Sequence, residues 1–152
     1  MKYWLMKTEP SVFSLQDLKE RPNQTSEWEG VRNYQARNMM RDDMKVGHKV
    51  LFYHSATKIP AIVGTAVVVR EAYPDDTAWT PESKYFDPKS SPENPRWVMV
   101  DIRFEKELAR PLPLAELREN PALADMMLLR KGMRLSIQPV TKQEYEAVLA
   151  MA

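Results

Sequence analysis

The stretch AIVGTAVVVR, residues 61–70, decides the fold. Its β-branched side chains fall on both faces of an extended chain, the pattern of a strand covered on both sides or closing a barrel. Upstream, KVLFY at residues 49–53 reads as a second strand. The link between the two, residues 54–60, is too short for a crossover, so they pair antiparallel. Downstream, residues 97–104 alternate, with Val98, Val100, Ile102 and Phe104 on one face and Asp101 and Arg103 on the other. That is a strand with one face against a core. Gly64, in the middle of the first strand, marks a bulge or a place where something approaches the backbone closely. Strands and helices are interspersed without regular βαβ alternation. An α/β chain of the α+β type fits, with a mainly antiparallel or mixed sheet curled into a barrel and helices at its sides.

Outward from this centre, residues 3–9 begin as an apolar strand that Pro10 stops. Ser14 caps a short helix over residues 15–21. Asn33 is a good N-cap, which starts a helix at Tyr34; Gly47 closes it. At helical spacing Ala36, Met39, Met40 and Met44 face a core, while Tyr34, Arg37, Asn38, Arg41 and Lys45 face out. Pro111 and Pro113 break the chain before a short helix at residues 114–119, and Pro121 starts a weaker helical piece through Leu129. Residues 133–140 form a last strand, and Thr141 with Glu144 makes a capping box for a terminal helix. Residues 73–95 have no sustained period, but Tyr73, Trp79, Tyr85 and Phe86 make the span too aromatic for a linker. It reads as an ordered loop across a site, with residues 85–89 packed near Asn33 and His54.

The 152 residues suit one domain spanning 1–152, with a core that needs no staple. The absence of cysteine excludes disulfides, thiolate metal sites and a thiol nucleophile. No apolar run reaches the length of a signal h-region or a bilayer crossing, so the expectation is a soluble cytoplasmic protein with no membrane contact. With 22 Lys+Arg against 21 Asp+Glu, net charge +1, bulk electrostatics does not make this a nucleic-acid coat. A nucleic-acid site has to be local and to read more than phosphate.

Metal binding has little to work with: two histidines, His48 and His54, with no carboxylate at a ligand spacing. His54 beside Ser55 is the one suggestive catalytic pair, but neighbours on a strand point oppositely and no nucleophile elbow is present. The four glycines are isolated, so phosphate loops and dinucleotide fingerprints are missing and no cofactor is implied. Glu9 and Asp87 are candidate acids without an identifiable partner. What remains are polar and aromatic groups at strand ends and in loops: residues 7–9, 32–35, 54–55, 85–89 and 134–138. Trp28, Arg32, Asn33 and Gln35 also crowd a helix N-terminus, which favours anionic or carbonyl-bearing ligands.

Seven segments together carry a resemblance: KTEP at residues 7–10, W-x-GVRNYQARN at 28–38, FYHS at 52–55, IVG at 62–64, YPD at 73–75, Y-x-D-x-KS at 85–90 and RLSIQPV at 134–140. In that order they resemble the EVE domain family, of the PUA-like superfamily that includes YTH and ASCH domains. The resemblance implies a small β-barrel with flanking helices and a reader of modified bases, chiefly modified cytosines in DNA. Phe86 stands where many relatives carry a second tyrosine, which removes a hydroxyl.

Two functions follow. In the first, a non-enzymatic module holds a modified base of DNA or RNA at the barrel mouth. Trp28, Tyr34 or Tyr85 stack on it; Asn33 and Ser55 bond its edge; and Lys7, Arg32, Arg37 and Arg134 contact phosphate or carbonyl groups. Glu9, His54, Asp87 and Ser136 complete the base-binding set, and Arg41 and Lys89 join Arg37 on phosphate. Any one of the three aromatics serves a core equally well, and Trp4 and Trp97 are core residues. In the second, the same pocket turns over a small nucleoside-like or amide substrate using His54, Glu9 or Asp87.

Overall fold

The computed structural model describes residues 1–152. Six strands form one sheet: β1 (Tyr3–Thr8), β2 (Thr25–Glu27), β3 (Lys49–His54), β4 (Ala61–Pro74), β5 (Val98–Pro113) and β6 (Ile137–Val140), in the spatial order β2-β5-β4-β3-β1-β6. β1 and β3 are parallel, and the other pairs are antiparallel. The four helices are α1 (Leu15–Glu20), α2 (Tyr34–Asp42), α3 (Leu114–Glu119) and α4 (Lys142–Met151). None is long and apolar enough to cross a membrane.

Alternation along the strands sends side chains to two cores. Trp4, Met6, Val50, Phe52, Ala66 and Val68 meet Leu15 and Leu18 of α1 and Ala36, Met40 and Met44 on and after α2. Leu5, Leu51, Tyr53 and Ile62 meet Leu117 of α3, Leu123 and Leu128 of two 3₁₀ turns, and Tyr145 and Val148 of α4. The doubly apolar character of β4 is therefore explained by helices on both faces. Gly64 meets both expectations: the β4 register against β5 shifts between Ile62 and Gly64, and a Cβ there would lie 2.7 Å from Leu15 Cδ2 and from the Lys106 carbonyl.

The expected barrel does not close, because β2 pairs only with β5 and β6 only with β1. Repeated register shifts between β4 and β5 curl the sheet instead. Three further corrections concern boundaries. Strand β5 runs through Pro111 and Pro113 instead of breaking there. Its second neighbour, β2, covers only residues 101–103, so a proline facing that side interrupts no ladder. Helix α2 ends at Asp42, and Gly47, at φ +94°, serves the following turn instead of the helix end. The last strand starts at Ile137, not Met133. Asn33 caps α2 as expected, its Oδ1 accepting from Ala36 N at 3.0 Å, and both Ser14 and Thr141 form capping boxes.

Candidate functional site

Because β1 runs parallel to β3 and antiparallel to β6, the end of β1, the end of β3 and the start of β6 share one edge of the sheet. Backbone bonds fix this edge: Lys7 N donates to Ser136 O at 2.8 Å and Ser55 N to Thr8 O at 2.9 Å. A cavity of about 710 Å³ opens there, within the usual ~300–1,000 Å³ range of small-ligand sites. Lys7, Thr8, Glu9, Ser55, Arg134 and Ser136 line it from the strand ends; Val12 and Phe13 come from the turn before α1, and Arg21 from its end. The opposite wall is Ser26 to Arg32 with Lys84 and Tyr85. Trp28 and Phe13 form an aromatic floor: the two rings meet edge to face at 6.3 Å, and Trp28 meets Phe52 at 5.6 Å.

The loop wall is held by a cluster that the sequence did not expose. Asp75, fully buried, accepts from Gly30 N at 2.9 Å, from Arg32 Nη1 at 3.1 Å and from Thr77 N at 3.0 Å. Arg32 Nη1 also donates to its neighbour's carbonyl, Val31 O, at 2.9 Å. Its Nε and Nη2 donate to the Tyr85 carbonyl at 3.1 and 2.8 Å, and Nη2 reaches Thr77 Oγ1 at 3.3 Å. All five N–H groups of the guanidinium thus meet protein acceptors. Arg32 lines the cavity, and its hydrogen bonds are turned into the protein, where they brace the loop wall. Gly30 is required twice over: its φ is +84°, and an added Cβ would lie 2.5 Å from Tyr85 Cζ.

The structure brings Lys7, Glu9, Trp28, Arg32, Ser55, Tyr85, Arg134 and Ser136 together and leaves other expected residues outside the cavity. His54 Nε2 accepts from Leu15 N at 3.1 Å and so supports the start of α1. Tyr85 packs its ring on Gly30 and its carbonyl accepts from Arg32, the neighbour of Asn33. Asp87 accepts from Trp97 Nε1 at 2.8 Å and from Lys89 N at 3.0 Å, a loop-fixing role. Tyr34 is half exposed, but its ring stacks on Trp97 at 4.7 Å and carries the Arg37 guanidinium at the same distance. Arg37 bonds the Arg96 carbonyl at 2.9 Å and Arg41 pairs with Asp42 at 2.8 Å, so both already have protein partners; Lys89 is exposed. Trp28 is 7% exposed and belongs chiefly to the core, as Trp4 and Trp97 do.

The cavity mixes charges. Burial lowers the pKa of the Lys7 ammonium, whose Nζ lies 3.3 Å from the Met133 carbonyl and 5.8 Å from the Tyr53 ring. Glu29, absent from the expected set, has its carboxyl raised above the ordinary range by desolvation first and then by the charges of Glu27 and Asp75. Such an arrangement can enclose a planar polar ligand between aromatic and hydroxyl-bearing walls. Cations at the rim can meet an anionic backbone.

Comparison with known proteins agrees with this geometry. The EVE domain model matches residues 2–151. Thymocyte nuclear protein 1 of Danio rerio is 46% identical over 97% of this chain and 71% of its own length. A hypothetical protein from Leishmania major superposes with a TM-score of 0.93 at 49% identity, covering 99% of this chain and 94% of that one. Human THYN1, solved in complex with DNA containing 5-methylcytosine, superposes with a TM-score of 0.92 at 43% identity, covering 99% and 97%. With the family model matching residues 2–151 and a relative 46% identical over 97% of it, the chain belongs to the EVE domain family.

Proposed function

We propose that this protein binds DNA carrying a modified cytosine, holds that base in the strand-end cavity and does not transform it. The observation that carries this is the cavity itself, set in a fold that matches the DNA-bound human relative at a TM-score of 0.92. A base inside a duplex is reached by extruding it, and the cavity supplies what an extruded base needs. Phe13, Trp28 and Tyr85 give apolar and aromatic wall, while Lys7, Ser55 and Ser136 give edge hydrogen bonds. Arg134 and Lys84 at the rim, with Lys89 farther out, meet phosphates, which orients the duplex without reading sequence. The near-neutral chain then binds locally, and the protein works wherever the cell keeps its DNA, the cytoplasm in a cell without a nucleus.

Turnover has little support in the cavity. Of the three groups that the sequence offered for acid-base work, His54 and Asp87 are bonded to Leu15 N and to Trp97 and Lys89 N, and only Glu9 faces the cavity. The test is a titration at fixed salt of duplexes that differ in one 5-methyl group on one cytosine, with RNA of the same sequence alongside. Tighter binding to the modified DNA, with Arg134→Ala lowering affinity for all duplexes and reducing the salt slope by about 0.9, is the expected result. Equal affinity for modified and unmodified DNA would remove the base-reading function.

A further inference from the structure

A cavity that recognises a 5-methyl group faces a competitor in every DNA. Thymine carries the same methyl and differs from 5-methylcytosine along its pairing edge: at C4 an amine donor is replaced by a carbonyl acceptor, and N3 bears a proton. Apolar contact with the methyl cannot separate the two, so discrimination needs a polar group that accepts and does not donate.

Building on the base-reading function above, we propose that Glu29 is this group, its carboxylate accepting a hydrogen bond from the C4 amine of the bound cytosine and repelling the O4 of thymine. Three observations carry the assignment. Glu29 lines the cavity between Trp28 of the aromatic floor and Gly30 of the loop wall. Its backbone is fixed on both sides, Trp28 N donating to Val100 O at 2.7 Å and Gly30 N to Asp75 Oδ2 at 2.9 Å. Its carboxylate also forms no ion pair: Arg21, the cation that offsets part of the local negative field, is paired with Glu27 at 3.6 Å. Glu29 is exposed at the cavity and no protein group donates to its carboxylate, which leaves it an acceptor open to a ligand. An ionised carboxylate has no donor to offer thymine O4.

Glu29→Gln keeps the size but adds an amide N–H₂ that can turn to O4. Duplexes with 5-methylcytosine, cytosine or thymine at one position, each correctly paired, are titrated against the parent, Glu29→Gln and a surface control outside the cavity, Glu119→Gln. The parent is expected to prefer 5-methylcytosine over both others. Glu29→Gln is expected to narrow the 5-methylcytosine to thymine ratio by about tenfold or more, and Glu119→Gln to leave it unchanged. If Glu29→Gln melts like the parent and keeps that ratio within about twofold while the parent prefers 5-methylcytosine over both, Glu29 is not the discriminator. A ratio that falls as far in Glu119→Gln overturns the assignment as well. A parent that binds all three duplexes alike gives a different pattern, which removes the base-reading function and this role with it.

Discussion

Arg32→Lys keeps the charge and removes the geometry, and the structure sets what that costs. The guanidinium makes five hydrogen bonds to four acceptors in three segments: Val31 O, the Asp75 carboxylate, Thr77 Oγ1 and the Tyr85 carbonyl, which receives two bonds. An ammonium has three donors on one atom and cannot span them. It can keep the pair with Asp75, but it then leaves Tyr85 O and Thr77 to find water at a side chain that is only 22% exposed. Hydrogen bonds from a charged donor contribute ~1.5–3 kcal/mol each, and partial replacement by the ammonium and by water reduces the loss, so the expected destabilisation is about 2–4 kcal/mol. For a chain of this size that lowers the melting temperature by roughly 4–15 °C. Thermal unfolding by circular dichroism measures the total. Amide hydrogen exchange locates it, since the amides of Gly30, Thr77 and Asp87 are expected to exchange faster while those of β3 and β4 stay protected. A variant that melts within about 1 °C of the parent and yet loses DNA affinity would refute this reasoning. Arg32 would then be a ligand contact and not a clamp.

Two further outcomes follow from the same geometry. Gly30→Ala combines a left-handed φ with overlap of the Tyr85 ring, and should cost about 2–4 kcal/mol in denaturant unfolding; in a Tyr85→Ala background the overlap part should vanish, leaving about 1–2 kcal/mol of backbone strain. Both histidines are held neutral. Burial lowers the pKa of His54, which accepts from Leu15 N, and of His48, which accepts from Trp4 Nε1 and Lys45 N. The unfolded chain takes up these protons near pH 6.5 while the folded chain resists, so it binds more protons and stability rises with pH in this window. Melting temperature should therefore fall as pH drops below about 6.5, and the double variant His48→Gln, His54→Gln should lose that slope; an unchanged slope would remove the histidines as its source.

The sheet was legible where burial writes a period into the chain, and illegible where it does not. Residues 61–70 and 97–104 announce strands because helices cover one or both faces. The continuation of β5 through residues 105–110 carries mostly exposed side chains and has no such period. Pro111 and Pro113 read as a break because a sequence does not say which edge of a strand lacks a neighbour. Within the site, Lys7, Ser55, Arg134 and Ser136 stood out as polar groups at strand ends, but their meeting depends on β1 lying parallel to β3, a register set by packing. Asp75 stood out only as the last residue of YPD in the family resemblance: by its chemistry, one aspartate in a proline-rich loop looks solvated until a guanidinium and two amides are seen to converge on it. Arg32 stood out for its chemistry, but the bidentate geometry that suits a ligand carbonyl also suits the carbonyl of Tyr85, which the sequence does not reveal.

These two kinds of residue divide the cavity into unequal halves. The strand-end half, with Lys7, Ser55 and Ser136, is fixed by ladder bonds that cannot open without disrupting the sheet. The loop half, with Glu29, Gly30 and Tyr85, is tied to the sheet by the bond from Trp28 N to Val100 O, and its segments to each other by one guanidinium and one buried carboxylate. Asp75 accepts from both Gly30 and Arg32, and Arg32 in turn holds Tyr85, so the wall that carries Glu29 and the wall that carries Tyr85 depend on the same pair of charges. Loss of either charge leaves the other desolvated and unpaired, which makes the arrangement all-or-none rather than graded. Ordering a donor-acceptor pattern in a loop demands such a device, because positioning on loops is less exact than on strands. A ligand that touches both halves adds its own contacts to that pair, so base binding and order in the Gly30–Tyr85 wall are thermodynamically linked.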